Sequence, residues 1–479
     1  MNFRLVCLPF LASLCACGAR SDIQCLGGVC TGSETGADPD GAAGSRGGDV
    51  PIPNLPPPGI DDPTGVVAPP SPEPVRPPQD GPVRLCENNN TTIDATNVTS
   101  YAALEELEGC EQITGSLSIF GFETPDLLPL ARLRDVTGVL HLGVDGPLTG
   151  LEALESVGSL VLSNITAATL EPLSQLTTIG GGREGYISIS NATSLTTLSG
   201  LGSVNTSGRI EISDNPALRS LAGLRFPQVL EELYVANNTA LSDLAGVSNL
   251  RTINGRLEIT STALSSLQSL SGLATAERIV IADNIVLTDI GGLGALAELQ
   301  LLRLANLAIT NVDGLSNLSR VQLLRIENNP LLVQIDGFSQ ATFSELSVKG
   351  NSNLSQLPAF SAVTELDTLE VEDNPALLNG PDLPNVASID QVRIIGNPAL
   401  TRISALSATR TARNVVIREN VTLTDLDLSS LESFRTLRVF CNATLPEATL
   451  EPFRESSAGV VISFGNLGSE QPCSPSPDP

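Results

Sequence analysis

The sequence has one histidine, His141, one methionine, Met1, and one lysine, Lys349; tryptophan is absent and aromatic residues make up only 3% of 479 positions. A single histidine excludes Cys/His metal clusters and argues against a Ser–His triad. No glycine-rich loop carrying a lysine is present, which excludes the common phosphate cradle. Apolar residues are 41% of the chain. With so few aromatics, the core has to be built from Leu, Ile, Val and Ala, which suits thin stacked layers better than a thick globular centre. The net charge of −27 argues against a nucleic-acid partner. The apolar run from Leu5 to Ala16 is too short to span a bilayer.

That run follows Arg4 and reads as the core of a signal peptide. Its end, "LCAC", Leu14 to Cys17, resembles the bacterial lipobox, with Leu at −3, a small residue at −1 and Cys at the cut. The resemblance implies removal of residues 1–16 and lipid on Cys17. Gly18 after the cysteine favours the outer membrane by analogy with enteric sorting. An ordinary secretory signal cut near Ala16 or Ala19 is the alternative. Residues 17–84 are rich in Pro, Gly and Asp with no apolar period, and read as a disordered, semi-stiff tether. Six cysteines remain beyond Cys17, an even number that suits disulfides in an exported chain. They allow fifteen pairings. Proximity in sequence favours Cys25–Cys30, Cys86–Cys110 and Cys441–Cys473, the first closing a small loop within the tether. Residues 474–479 read as a disordered tail.

Between 85 and 473 one unit recurs. "RIEISDNPALRSL" begins at Arg209, and near-copies begin at Thr368 and Gln391. Fifteen apolar–x–apolar triplets run from Leu117–Ile119 to Leu437–Val439, mostly 22 to 24 residues apart. The main exception is the step into Ile187, where "GGGREG", 180–185, reads as a loop insertion. A second anchor follows six positions after each triplet, as at Leu195, Leu218 and Leu241. A period in this range is the signature of a solenoid, in which stacked coils bury what one coil cannot. The third position after the triplet is Asn at residues 215, 238, 284, 329, 351, 374, 397, 420 and 442. An amide there can bond the backbone of its own turn and of the next coil, as stacked Asn ladders do. Asp214, Asp283 and Asp373 beside this column read as turn residues, not calcium ligands. Sequons such as those at Asn164, Asn191 and Asn420 are a by-product of Asn/Thr-rich turns if the chain is a bacterial lipoprotein, and would be glycosylated in a eukaryotic host.

"LEELEGCEQITGSLSI", Leu104 to Ile119, joins an amphipathic segment, a Cys and an I-x-G-x-L-x-I unit; "LRTINGRLEI", Leu250 to Ile259, repeats the unit. Over residues 86–445 the chain resembles leucine-rich repeats and, more closely, the receptor L-domain. The resemblance implies a mainly β, right-handed parallel β-solenoid of about fifteen coils. It also implies a Cys86–Cys110 cap at the N-terminal end. Such domains are mostly binding modules, and this one runs longer than its relatives.

Side chains alternate along a strand. If the triplet ends point inward, three outward rows hold nine basic residues: Arg209, Arg256, Arg278, Arg303, Arg325, Lys349, Arg393, Arg418 and Arg438. They also hold seven acidic ones: Glu211, Glu232, Glu258, Glu327, Glu345, Glu370 and Glu372. Two readings compete. The charges pair across strands and keep the sheet soluble, or Tyr234, Arg256, Arg278, Arg303, Arg325 and Arg393 form a recognition face for a protein or an anionic glycan. The expectation is an exported, non-catalytic binding or adhesion module without cofactor or metal, lipid-anchored in the outer membrane and facing the exterior. A passive spacer is the alternative. A polysaccharide-active enzyme using paired carboxylates such as Glu370 and Glu372 is a distant third.

Overall fold

A computed structural model describes residues 98–180, 185–202, 206, 208–454, 459–469 and 473, together with the backbone of four short strands nearer the N-terminus. The chain divides into two compact units, Met1–Pro78 and Gln79–Pro479. In the first, the described strands are Leu5–Val6, Gln24–Leu26 and Val29–Thr31, and the antiparallel register sets Cys25 opposite Cys30. Cys17, most of the tether and the tail lie outside the described residues.

The second unit is a parallel β-solenoid. Every triplet pairs in register with the next, Leu117 with Leu140 at the start and Val415 with Leu437 near the end. None of the thirty inward triplet residues is more than 2% exposed. They form one core running from Val98 to Leu450, joined by the second anchors such as Leu195, Leu264 and Leu423. Only three of the largest fully buried side chains are aromatic, Phe226, Phe338 and Phe360. The layer is thin because Leu and Ile fill it. One strand beyond the triplet series continues the stack: Val460–Phe464 pairs with Ser433–Phe440. Its inward Ser463 and half-buried Val461 break the apolar pattern that marks the others.

Each coil leaves the sheet through the same turn. From Asn164 to Gly465, the residue two positions after the triplet has φ between +53° and +68° in fourteen consecutive coils. Only Gly, and less readily Asn and Asp, adopts this left-handed conformation at low cost. Eleven of the fourteen positions are Asn, Asp or Gly, among them Asp214, Asp283 and Asp373; the exceptions are Ser261, Glu419 and Cys441. Farther round the coil, a short 3-10 turn such as Gly291–Leu293 brings successive backbones very close. A Cβ on Gly292 would stand 1.7 Å from the Leu267 carbonyl oxygen, so that position admits glycine alone.

The left-handed turn delivers the next residue, the column Asn, into the core at 0% exposure. In Asn374, Nδ2 donates to the carbonyls of Val348 (3.0 Å) and Glu372 (2.9 Å), while Oδ1 accepts the Asn351 backbone N–H at 3.0 Å. Each amide thus ties its own coil to the preceding one. Where the column residue is Ala192, Thr262 or Leu307, its backbone N–H still donates to the Asn of the following coil, at 2.9 to 3.0 Å. Asn466 ends the series by accepting from the Asn442 backbone at 3.1 Å.

The ends are covered differently. Cys441 and Cys473 form a disulfide at the C-terminal end. At the N-terminal end, Ser100 caps the helix Tyr101–Glu105 by accepting from the Ala103 N–H, and Leu104 is buried beneath it. Cys110 is disulfide-bonded to a cysteine outside the described side chains.

Asn374→Ala should remove two donors and leave the buried Asn351 N–H unpaired. The expected loss is about 1–3 kcal/mol, read as a lower denaturation midpoint with the native circular dichroism retained.

Candidate binding surface

The solvent side of the sheet is built by strand alternation, and it carries all six residues singled out from sequence. Tyr234, Arg303, Arg325 and Arg393 occupy the central row, one per strand; Arg256 and Arg278 sit side by side in the preceding row. The sheet does not leave their charges open. Arg303 Nε donates to Glu327 at 2.9 Å, one strand on and one row to the C-terminal side. Arg325, its direct neighbour, turns the other way and donates to Glu345 at 2.9 Å. Two like charges in register are thereby drawn apart. Arg393 donates to Glu372 at 2.7 Å, Arg256 pairs with Glu258, and Arg209 reaches both Glu211 at 2.6 Å and Glu232 at 3.8 Å. Lys349 sits between Glu370 at 2.7 Å and Glu372 at 3.5 Å.

All seven carboxylates of the three rows therefore have a cationic partner. Of the nine basic residues, only Arg438 has no partner among the described residues. Cross-strand pairs of this kind contribute roughly 0.2–1 kcal/mol each. The distant catalytic candidates, Glu370 and Glu372, are part of this stitching. His141 faces outward as its strand position implies, with Nε2 2.7 Å from Ser163 Oγ. Burial lowers its pKa.

In the middle of the face the register forms a grid. Arg278, Leu301 and Leu323 fill one row, Val280, Arg303 and Arg325 the next, and Ala282, Ala305 and Glu327 the third. Val280, Ala282, Leu301 and Ala305 are buried although they lie on the solvent side. Small and branched side chains set among long ones account for this, because arginine stems cover apolar neighbours while their heads stay in water. Nearer the N-terminal end, Tyr186, Arg209, Glu211, Glu231, Glu232, Asn254 and Glu277 line a shallow depression of about 690 Å³. Glu231, Asn254 and Glu277 escaped the sequence reading because they precede the three outward rows, at the corner where each coil enters the sheet. Burial, followed by the Glu258 and Glu211 carboxylates, pushes the Tyr234 phenol up, so it remains a hydrogen-bond donor at neutral pH.

Electrostatics at Lys349 are set by competition. Burial pushes the Glu370 carboxyl up. The hydrogen bond and charge of Lys349, the Ser347 hydroxyl and the Arg393 charge outweigh burial, and the carboxyl ends below its ordinary value. A depressed carboxylate stabilises the fold above its unfolded pKa, and that contribution fades as pH falls through the folded value. Glu370→Gln should therefore be less stable than the parent at neutral pH. The gap should close on acidification past the ordinary carboxylate range, as followed by melting temperature against pH.

Among the described residues, no group of three or more His, Cys, Asp or Glu is placed to hold a metal, and no helix is long and apolar enough to cross a membrane. No protein-family model matches the sequence. Curated proteins yield no match either. Solved structures do. An internalin of Listeria monocytogenes aligns at 18% identity over 69% of this chain and 88% of its own, with a TM-score of 0.33. A leucine-rich-repeat protein of Leptospira interrogans aligns at 14% identity over 75% of this chain and 97% of its own, with a TM-score of 0.35. The functional domain of InlJ from Listeria monocytogenes aligns at 15% identity over 70% of this chain and 75% of its own, with a TM-score of 0.25. The geometry of the chain itself establishes a leucine-rich-repeat-like parallel solenoid.

Proposed function

We propose that the chain is a non-catalytic binding module that presents the solvent face of its sheet to a partner at the cell envelope. The observation that carries this reading is the continuous face itself. Fifteen triplets in parallel register place Tyr234 and five arginines on one surface, around buried apolar positions that need no further cover. A protein or an anionic glycan suits the chemistry of that surface, because arginine heads can exchange an intramolecular carboxylate for an external one at little net cost. The lipobox-like "LCAC" supports lipid on Cys17 in the outer membrane, with residues 17–84 holding the solenoid off the bilayer.

A second reading has an observation of its own. Every carboxylate of the three rows is already paired, which is what a passive spacer needs to stay soluble.

Binding separates the two. The chain should retain a partner from a panel of surface glycans and envelope proteins. Arg303→Gln/Arg325→Gln, at an unchanged melting temperature, should weaken that binding at least tenfold, and added salt should weaken it in the parent. Equal retention by parent and variant would move the site off the central face; no retention by either favours the spacer. Independently, fatty-acid labelling in a bacterial host should be lost in Cys17→Ser, and labelling that survives would refute the anchor.

A further inference from the structure

The charges of the sheet are not evenly spread along it. All seven acidic residues of the outward rows lie at or before Glu372. The next three strands, Ser388–Ile395, Thr411–Arg418 and Ser433–Phe440, present Arg393, Arg418 and Arg438 on those rows and no acid. Here a depression of about 430 Å³ is lined by Gln391, Arg393, Asn414, Arg435, Thr436 and Arg438, with Val392 and Val416 at its floor. Three arginines line it and no carboxylate does. Of the acids nearest in sequence, Glu372 pairs with Lys349 and with Arg393 itself, Asp390 with Arg413 at 3.9 Å, and Glu419 with Arg418 at 2.9 Å, while Glu432 neither lines the depression nor forms an ion pair among the described residues.

The lining is also incompletely bonded. Arg438 Nε is buried with no hydrogen-bond partner. Among the described residues no ion pair reaches Arg435 or Arg438. The Thr436 hydroxyl donates to Asn414 Oδ1 at 2.9 Å, so the amide oxygen is engaged and the Asn414 NH2 group is the donor this lining residue still has to offer. An unmet buried donor is costly, and an oxyanion held by paired guanidinium N–H groups meets it best. We propose that this pocket binds the carboxylate of an acidic sugar, of the uronic acid class.

Three features favour a sugar. Gln391, Asn414 and Thr436 are amides and a hydroxyl, the groups that pair with ring hydroxyls. The only apolar lining is Val392 and Val416, so no well accepts a peptide side chain. The chain as a whole carries −27, so a long, densely charged polyanion is repelled at long range while a short sugar-acid oligomer, with one carboxylate per ring, is held locally.

The site deepens the sheet-face reading and rests on it, but of the six face residues it shares only Arg393 and does not include Arg303 or Arg325, so the two can fail separately. Calorimetric titration of the full chain would use three probes: a galacturonate tetramer, its methyl-esterified form and tetraglutamate. The tetramer should bind, and esterification should weaken it at least tenfold. Arg435→Gln/Arg438→Gln should weaken tetramer binding at least tenfold, and the exposed single change Arg435→Gln several-fold with an unchanged melting temperature. Arg303→Gln/Arg325→Gln should leave it within twofold. Equal binding of the ester, or preference for tetraglutamate, would overturn the sugar acid as ligand. Loss in the central variant alone would overturn the pocket and leave the sheet face standing. No binding of the tetramer by the parent would overturn the pocket, while the broader face is judged by its own protein and glycan panel.

Discussion

Ten coils of this chain close by sending an asparagine amide into the core, where its oxygen accepts the backbone N–H of the coil before and its nitrogen donates to backbone carbonyls, as Asn374 does. Parallel strands connected by tight turns leave backbone groups that water cannot reach. A buried unpaired amide costs enough to undo the gain from one buried leucine. The ladder from Asn329 to Asn466 meets that constraint in a repeating way. The left-handed residue before each Asn is what aims the amide inward, so the turn and the ladder form a single device. The apolar triplets supply most of the burial, but the ladder fixes their register.

Register in turn decides the charge pattern outside. Because the repeat places equivalent residues on top of each other, Arg303 and Arg325 are forced into contact range. The sheet resolves this by diagonal pairing, with Glu327 on one side and Glu345 on the other. Self-neutralisation holds along the middle of the face and stops after Glu372. The C-terminal strands carry no acid on the outward rows, and Arg438 is left there as the one basic residue of the rows without a partner among the described residues.

Much of this was legible beforehand. The triplets could be counted because a coil that fails to bury its Leu or Ile destabilises both neighbours, so the pattern is written into nearly every repeat. The Asn column was legible for the same reason. The sixteenth strand was not, because Val461 and Ser463 end the stack and need only one apolar neighbour. Arg435 was missed as a pocket residue because it stands at the corner of its coil, outside the three rows that alternation defines.

The sequence by itself determined the solenoid, its period, the inward and outward rows and the structural use of the asparagines, since all of these follow from repetition along one dimension. Only the tertiary structure decided which charges meet. Diagonal neighbours on adjacent strands are separated by 20 to 24 residues and by one row, and the chosen partner depends on side-chain reach across the sheet. It also decided where positive charge is left over, because an uncompensated arginine is defined by what fails to reach it, and that is a property of three dimensions.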